Sequence, residues 1–242
     1  MTTTTDTSAR RREPLTRDRV LRAAVARADE GGAEALSMRQ LAQEFGVVPM
    51  ALYKHLANKE ELLDAMVDAV MGEVNDAVSQ IDVLSQPWKP TLRRRILAAR
   101  DVFLRHPWAP GLMVSRTTMT PAVWRYFDSL IGLFLSAGFS IDLTHHAMHA
   151  LGSRALGFTQ ELYDDSGELD ADATAMLEQM AGAYPHITAM VAGIAHDADT
   201  TLGWCDDQVE FEFALDLLLD GLEAQRAAQS RGPGSGSAGP GS

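Results

Sequence analysis

The chain has 242 residues, of which 46% are hydrophobic and 22% charged, with a formal charge of −12 and one cysteine. This fits a folded chain with a large core, either one domain or a small domain joined to a larger one, and excludes a disordered polypeptide. Cys205 alone makes no internal disulfide and fits a reducing compartment; MTTTTDTSARRREP lacks an apolar signal region, and LIGLFLSAGF is too short to cross a bilayer, so a cytoplasmic protein with no membrane partner is expected.

Charge is distributed unevenly. Residues 1–60 hold ten Lys/Arg against eight Asp/Glu, or +2, leaving eleven against twenty-five, or −14, for residues 61–242. An acidic body argues against coating by nucleic acid, but a locally positive N-terminal segment can dock on phosphates through one face. The asymmetry suggests two domains behind a flexible basic arm, residues 1–14.

In LTRDRVLRAAVARADEGG, Leu15, Val20, Leu21, Ala24, Val25 and Ala28 recur at near-helical spacing, with Thr16 as N-cap and Gly31-Gly32 as stop. Ser37 begins a second helix, with Gln40 placed for a capping box and Gly46 at its end. Pro49 then opens a third, short helix over PMALYKHL, because a proline at the first helical position sacrifices no hydrogen bond. Asn58 caps a fourth helix with Glu61 at its third position, and the apolar run continues through Val78.

Two short helices about a tight glycine turn form a helix-turn-helix unit, whose second helix fits the major groove of DNA. The expected DNA-facing set is Ser37, Arg39, Pro49, Met50, Tyr53, Lys54, His55 and Lys59. Met50 and Tyr53 suit apolar base edges, Lys54 suits guanine, and Ser37, Tyr53, His55 and Lys59 suit phosphates. Arg10, Arg11 and Arg12 in the arm either reach the minor groove or merely aid solubility.

The segment LSMRQLAQEFGVVPMALYKHLANKEELLDAM resembles the N-terminal domain of TetR-family transcriptional regulators. The resemblance implies a homodimeric repressor with one recognition helix per subunit on a palindromic operator, released when a small molecule binds the second domain. Residues 15–62 are assigned to the DNA-binding domain, 63–229 to a ligand-binding and dimerisation domain, and 230–242, rich in Gly, Ser and Pro, to a disordered tail.

From residue 87 the pattern is helical, without strand-like alternation, so the fold class is all-α. Expected helices cover WKPTLRRRILAARDVFLRHP, TPAVWRYFDSLIGLFLSAG, SIDLTHHAMHALGSRALGFTQELY, DATAMLEQMAGAY, PHITAMVAGIA and DDQVEFEFALDLLLDGLEAQRAAQ. The last is apolar on more than one face, and the helix from Ser140 is rich in small residues. Pairing of both across a two-fold axis is expected, with Leu151, Ala155, Phe211, Leu215, Leu218 and Leu222 at the interface; central helices of a larger monomeric core are the other reading.

The order Trp88, LRHP, SRT, AGFS, TQELY and YPHI is similar to the ligand-binding domain of the tetracycline-repressor type. In that type the drug arrives as a magnesium chelate. The resemblance puts the metal-ligand histidine at Met113 and the drug-contacting histidine at Asn75, while the partner-chain glutamate matches at Glu161. A thioether is a poor ligand for magnesium, which argues for a different, mainly apolar effector. Expected lining residues are Asn75, Met113, Arg116, Phe127, Leu130, Phe134, Met148, Gly152 and Glu161, with plain core as the alternative for each.

His145 and His149 lie one helical turn apart without the glutamate of HExxH, so interface or pocket-rim positions are expected rather than a metal site. No nucleophile elbow, dinucleotide fingerprint or P-loop is present, and neither catalytic residues nor a cofactor are expected. The rival to a regulator is an all-α small-molecule carrier with a vestigial head.

Overall fold

The computed structural model describes residues 14–81, 87–157, 182–186, 188–189 and 207–231. Regular structure among them is helical, with no strand: α1 Arg17–Gly31, α2 Met38–Glu44, α3 Pro49–Leu52, α4 Lys59–Ser79, α5 Trp88–Arg105, α6 Ala109–Ser115, α7 Pro121–Ser136, α8 Ile141–Gly157 and α9 Asp207–Ser230. The helices expected around residues 171–183 and 185–195, the arm at 1–13 and most of the tail lie outside the described residues or are only fragmentarily covered. The chain divides into two compact units, Met1–Leu84 with Arg94–Leu130, and Ser85–Arg93 with Ile131–Ser242.

In the first unit, the Thr16 hydroxyl accepts from Arg19 N–H at 3.2 Å and starts α1, and Gly32, at φ 80°, ends it. Helices α1 to α3 close over Val20, Ala24, Leu41, Leu52 and Leu56, and α4 adds Leu62, Met66, Val70, Met71 and Val74 to the same core. The expected boundary between residues 62 and 63 falls inside α4, whose whole length belongs to this unit. Helix α6 was not legible as a separate element: Pro107 ends α5, and Pro110, in the first turn of α6, restarts the chain as a helix of seven residues.

The second unit is organised around α8 and α9, which contact each other. Trp88, Phe134 and Phe139 form an aromatic trio, with Trp88 and Phe139 edge to face at 4.9 Å and Phe134 and Phe139 at 5.0 Å. Trp88 Nε1 donates to Glu223 at 2.8 Å, and Arg93 forks onto Asp216 and Glu212, each at 2.7 Å. Lys89 and Asp220 form a further pair on the same two helices. Ser140 caps α8 as expected, accepting from Leu143 N–H at 3.1 Å.

The expected interface set needs correction. Leu151, Phe211, Leu215 and Leu222 are buried within the single chain, and Leu218 is half-buried. The α9 face that carries Phe211, Leu215 and Leu222 is committed to the protomer's own core, as is Leu151 on α8, while Phe213 and Leu217 point outward at 62% and 59% exposure. The side chain of Ala155 lies outside the described residues.

Hydrogen bonds from Gln208 and then Arg93 hold Glu212 below the usual carboxylate range, and Arg226 and Trp88 do the same for Glu223. A depressed folded-state value means stability that is complete above the unfolded value, about 4.3, and is lost as pH falls through the folded one. Arg93→Met therefore lowers the melting temperature at pH 6, and the gap to wild type closes as the pH is taken towards 3. A gap that stays constant over that range in thermal melts would exclude the Arg93 fork as its source.

Candidate nucleic-acid interface and sensing core

The turn between α2 and α3 is set by Gly46, at φ 64°, with Val47 N–H donating to Ala42 O at 2.9 Å. A side chain at that φ is strained, which is why a glycine stands there. Pro49 opens α3, and Leu52 and Leu56 plug the segment into the core below. What remains outside is Arg39, Pro49, Met50, Tyr53 and Lys54, all exposed, with Ser37, His55 and Lys59 half-buried around them. Met50 is 69% exposed, a large apolar side chain with no intrachain reason to face solvent. Arg39, Lys54 and Lys59 make no ion pair among the described residues, although acidic side chains outnumber basic ones in the chain.

Two local expectations are corrected. The α3 helix stops at Leu52, so Tyr53, Lys54 and His55 occupy a tightened turn in which His55 N–H and Leu56 N–H both donate to Leu52 O, at 2.9 and 3.1 Å. A proline-started helix with a Tyr-Lys-His exit has weak intrinsic support, and the chain must turn for Leu56 to be buried before Asn58 starts α4. Nor is there a capping box at Ser37: its side chain makes no cap hydrogen bond, and only its carbonyl enters α2 by accepting from Leu41 N–H at 3.0 Å. At Asn58 the cap is formed, its Oδ1 accepting from Glu61 N–H at 2.8 Å, while the Glu61 carboxylate reaches back past the cap to accept from Ala57 N–H at 2.7 Å, a variant of the capping box.

The first unit also holds most of the expected ligand-lining residues. Asn75 is buried on α4, with both amide hydrogens committed, to Met71 O at 2.8 Å and Ala122 O at 2.9 Å; its Oδ1 is the remaining polar handle. Met113 and Phe127 lie partly buried against the core, and Leu130 is buried. Arg116 departs from expectation. Its Nε donates to Asp64 at 2.7 Å and its Nη1 to Glu60 at 2.6 Å, so the guanidinium is a clasp from the end of α6 to the first turns of α4 rather than a free ligand handle. Phe134 is fully buried in the aromatic trio of the second unit, a core position; Met148 and Gly152 are half-buried in that unit, and Glu161 lies outside the described residues.

Sequence reasoning missed a second set of links inside the first unit. His106 Nδ1 and Trp108 Nε1 both sit 2.7 Å from Asp29 Oδ1, and His106 Nε2 lies 3.4 Å from Glu73. Asp29 stands near the end of α1 and Glu73 on α4, so the α5–α6 junction is tied to two helices of the head. Asp29 and His106 are 77 residues apart in sequence and Glu73 and His106 are 33 apart, distances at which no local pattern signals contact. Asp68 on α4 similarly accepts from Ala122 N–H, at 2.9 Å, at the start of α7. The rings of the exposed His145 and His149 lie edge to face at 4.6 Å, and no cluster of three potential metal ligands occurs among the described residues.

A helix-turn-helix tip with uncommitted cations, carried by a helix that is itself wired into an apolar helical body, defines a one-component regulator, a DNA-reading head and a sensing body in one chain. Comparison with known proteins gives the family. The profile described as "Bacterial regulatory proteins, tetR family" matches residues 20–66, and that described as "Tetracyclin repressor-like, C-terminal domain" matches residues 84–226. The HTH-type transcriptional repressor DrrR1 of Streptomyces coeruleorubidus is 31% identical over 231 residues, covering 89% of this chain and 81% of that protein. A possible TetR family transcriptional regulator from Streptomyces coelicolor A3(2) superposes with a TM-score of 0.68 at 30% identity, over 86% of this chain and 99% of the other. The Streptomyces coelicolor TetR family protein ActR, in complex with (S)-DNPA, superposes with a TM-score of 0.66 at 26% identity, over 88% and 100%. The chain belongs to the TetR family and is a ligand-responsive, DNA-binding transcriptional repressor.

The two caps separate structure from recognition. Asn58→Ala removes a formed cap and costs about 1 kcal/mol, lowering the melting temperature by roughly 2–4 °C, whereas Ser37→Ala leaves it unchanged. Equal losses in thermal melts would show that the Ser37 hydroxyl has a structural bond after all.

Proposed function

We propose that the protein acts as a homodimer that places one tip, Ser37, Arg39, Pro49, Met50, Tyr53, Lys54, His55 and Lys59, in each of two successive major grooves of a palindromic operator. The observation that carries this is the tip itself: three cations without an ion pair among the described residues, around an exposed methionine and tyrosine, on a head otherwise closed over its core. Met50 and Tyr53 read apolar base edges, Lys54 donates to a base, and Ser37, His55 and Lys59 hold phosphates; Lys59, at the N-terminus of α4, adds its charge to the positive end of the helix dipole. The outward face of α9, where Phe213 and Leu217 are followed by the exposed Gly221 and Ala224, supports pairing with a second copy. No described helix is long and apolar enough to cross a membrane.

The effector is a small, mainly apolar molecule that binds against α4 near Asn75 and the neighbouring Met113, Phe127 and Leu130. Displacement of α6 or α7 by such a molecule is transmitted to α4 through the Arg116 clasp and the Asp68 cap, and to α1 through Asp29. A hundredfold loss of operator affinity needs only about 2.7 kcal/mol of such coupling. Tetracycline repressors are among the relatives, but Met113 offers magnesium no oxygen or imidazole, so a different effector is favoured.

Operator binding is measured by fluorescence anisotropy on a duplex selected from a random pool. Lys59→Ala lowers the slope of log affinity against log salt by about one per subunit, and Tyr53→Ala costs about 1–3 kcal/mol on the selected duplex while leaving helicity intact. Binding unchanged by either substitution would remove the tip from the interface and favour the carrier reading. Phe213→Glu combined with Leu217→Glu yields monomers in sedimentation and abolishes tight operator binding. A double variant that remains dimeric would move the interface elsewhere.

A further inference from the structure

Arg95 is 4% exposed, and no carboxylate lies within ion-pairing distance of it among the described residues. Its guanidinium is held by Ser129, whose hydroxyl accepts from Nη2 at 2.5 Å and whose carbonyl lies 3.4 Å from Nη1. The Ser129 hydroxyl in turn donates to Tyr126 O at 2.7 Å, which fixes its direction. Arg95 Nε is buried and has no hydrogen-bond partner among the described residues.

A guanidinium keeps its proton under all physiological conditions, so this is a permanent buried charge with a donor to spare. Such a charge is costly unless an anion compensates it. The chain has acid in excess, and it pairs Arg93 and Arg116 with two carboxylates each, yet supplies none here. Burial also disfavours the charge on Arg95, and pushes the neighbouring Tyr126 hydroxyl up to about 12, so that the phenol stays protonated and able to donate. On α7, Leu130, next after Ser129, is buried and Phe127, two residues before it, is partly buried, so both supply apolar surface, while Asp128 between them is exposed.

We propose that Arg95, oriented by Ser129, is the counter-charge for an acidic effector, an apolar small molecule bearing a carboxylate or another ionised oxygen acid. This deepens the ligand-responsive reading and rests on it. The unpaired guanidinium selects the anion over its neutral isostere, because the neutral molecule would leave the buried charge uncompensated.

The test uses two probes of one skeleton, anionic 8-anilino-1-naphthalenesulfonate and neutral N-phenyl-1-naphthylamine, titrated by fluorescence into the full-length protein. Arg95→Gln weakens the anionic probe by roughly ten- to a hundredfold, the range of charge-assisted hydrogen bonds, and changes the neutral probe by less than about twofold. Arg95→Lys retains part of the preference, and the unliganded Arg95→Gln protein melts no lower than wild type, since an uncompensated charge has been removed. A variant that binds the anionic probe as wild type does, that loses both probes in parallel, or that melts well below wild type would overturn the proposal. Anisotropy on the selected operator duplex separates this from the broader reading: Arg95→Gln binds DNA like wild type, whereas a wild-type protein that fails to bind any selected duplex contradicts the regulator assignment and leaves the probe comparison standing.

Discussion

Helix α4 is buried on one side along nearly its whole length, and the rest of the first unit depends on that. Ten of its 21 residues are buried, from Leu62 to Val78, and its apolar positions serve the head at one end and the α5–α7 segment at the other. A helix sealed along its length cannot shift at one end and stay fixed at the other without opening a cavity, and cavities in close-packed cores are costly. The polar links add direction to this constraint. Arg116 holds the first turns, Asp68 caps α7 from the middle, Asn75 bonds Ala122 further along, and Glu73 approaches His106. Each ties α4 to an element that carries candidate effector-binding residues.

This arrangement explains how recognition and sensing occupy one compact unit without sharing residues. The proposed DNA-facing side chains are ones that the head leaves uncommitted among the described residues: the Ser37 hydroxyl, the Arg39, Lys54 and Lys59 charges, and the Met50 and Tyr53 surfaces. The polar residues expected to sense the effector are by contrast engaged within the fold where they are described, and one of the aromatic ones is core. Asn75 has spent both donors, Arg116 is clasped to α4, and Phe134 is core. Arg95, outside that expected set, is a buried cation that donates only to an uncharged serine among the described residues. In a chain with surplus carboxylates, that asymmetry distinguishes a charge kept for a ligand from one used to hold the fold.

Much of the head was legible because its signals are local. Thr16, Gly32, Gly46, Pro49 and Asn58 each act on a backbone group within four residues, and the structure places each where its chemistry requires. Local reasoning failed where two local solutions compete. A serine followed three residues later by glutamine reads as a capping box, but α2 forms without it, and the tip helix closes after one turn because Leu56 must be buried. Helix α6 was invisible for a related reason: a helix of seven residues between two prolines has too few apolar positions to show a period. Contacts across long separations, such as Asp29 with His106, leave no trace in periodicity. In α9 the apolar residues on two faces announced a helix covered twice, but not which face the protomer would keep. Phe211, Leu215 and Leu222 went to the core, and Phe213 and Leu217 stayed outside. Arg95 was passed over because an arginine in a basic helix looks solvated until its burial is known.

The central claim is that the operator-reading tip and the sensing segment are thermodynamically coupled through α4. Coupling is reciprocal, so it can be tested before any effector is known. The measurement is amide hydrogen exchange of the full-length protein with and without a saturating selected operator duplex. Coupling predicts altered protection along α4 and in α6, residues 109–115, which are not expected to touch DNA. Protection confined to residues 37–59, with α6 and the C-terminal half of α4 unchanged, would contradict it.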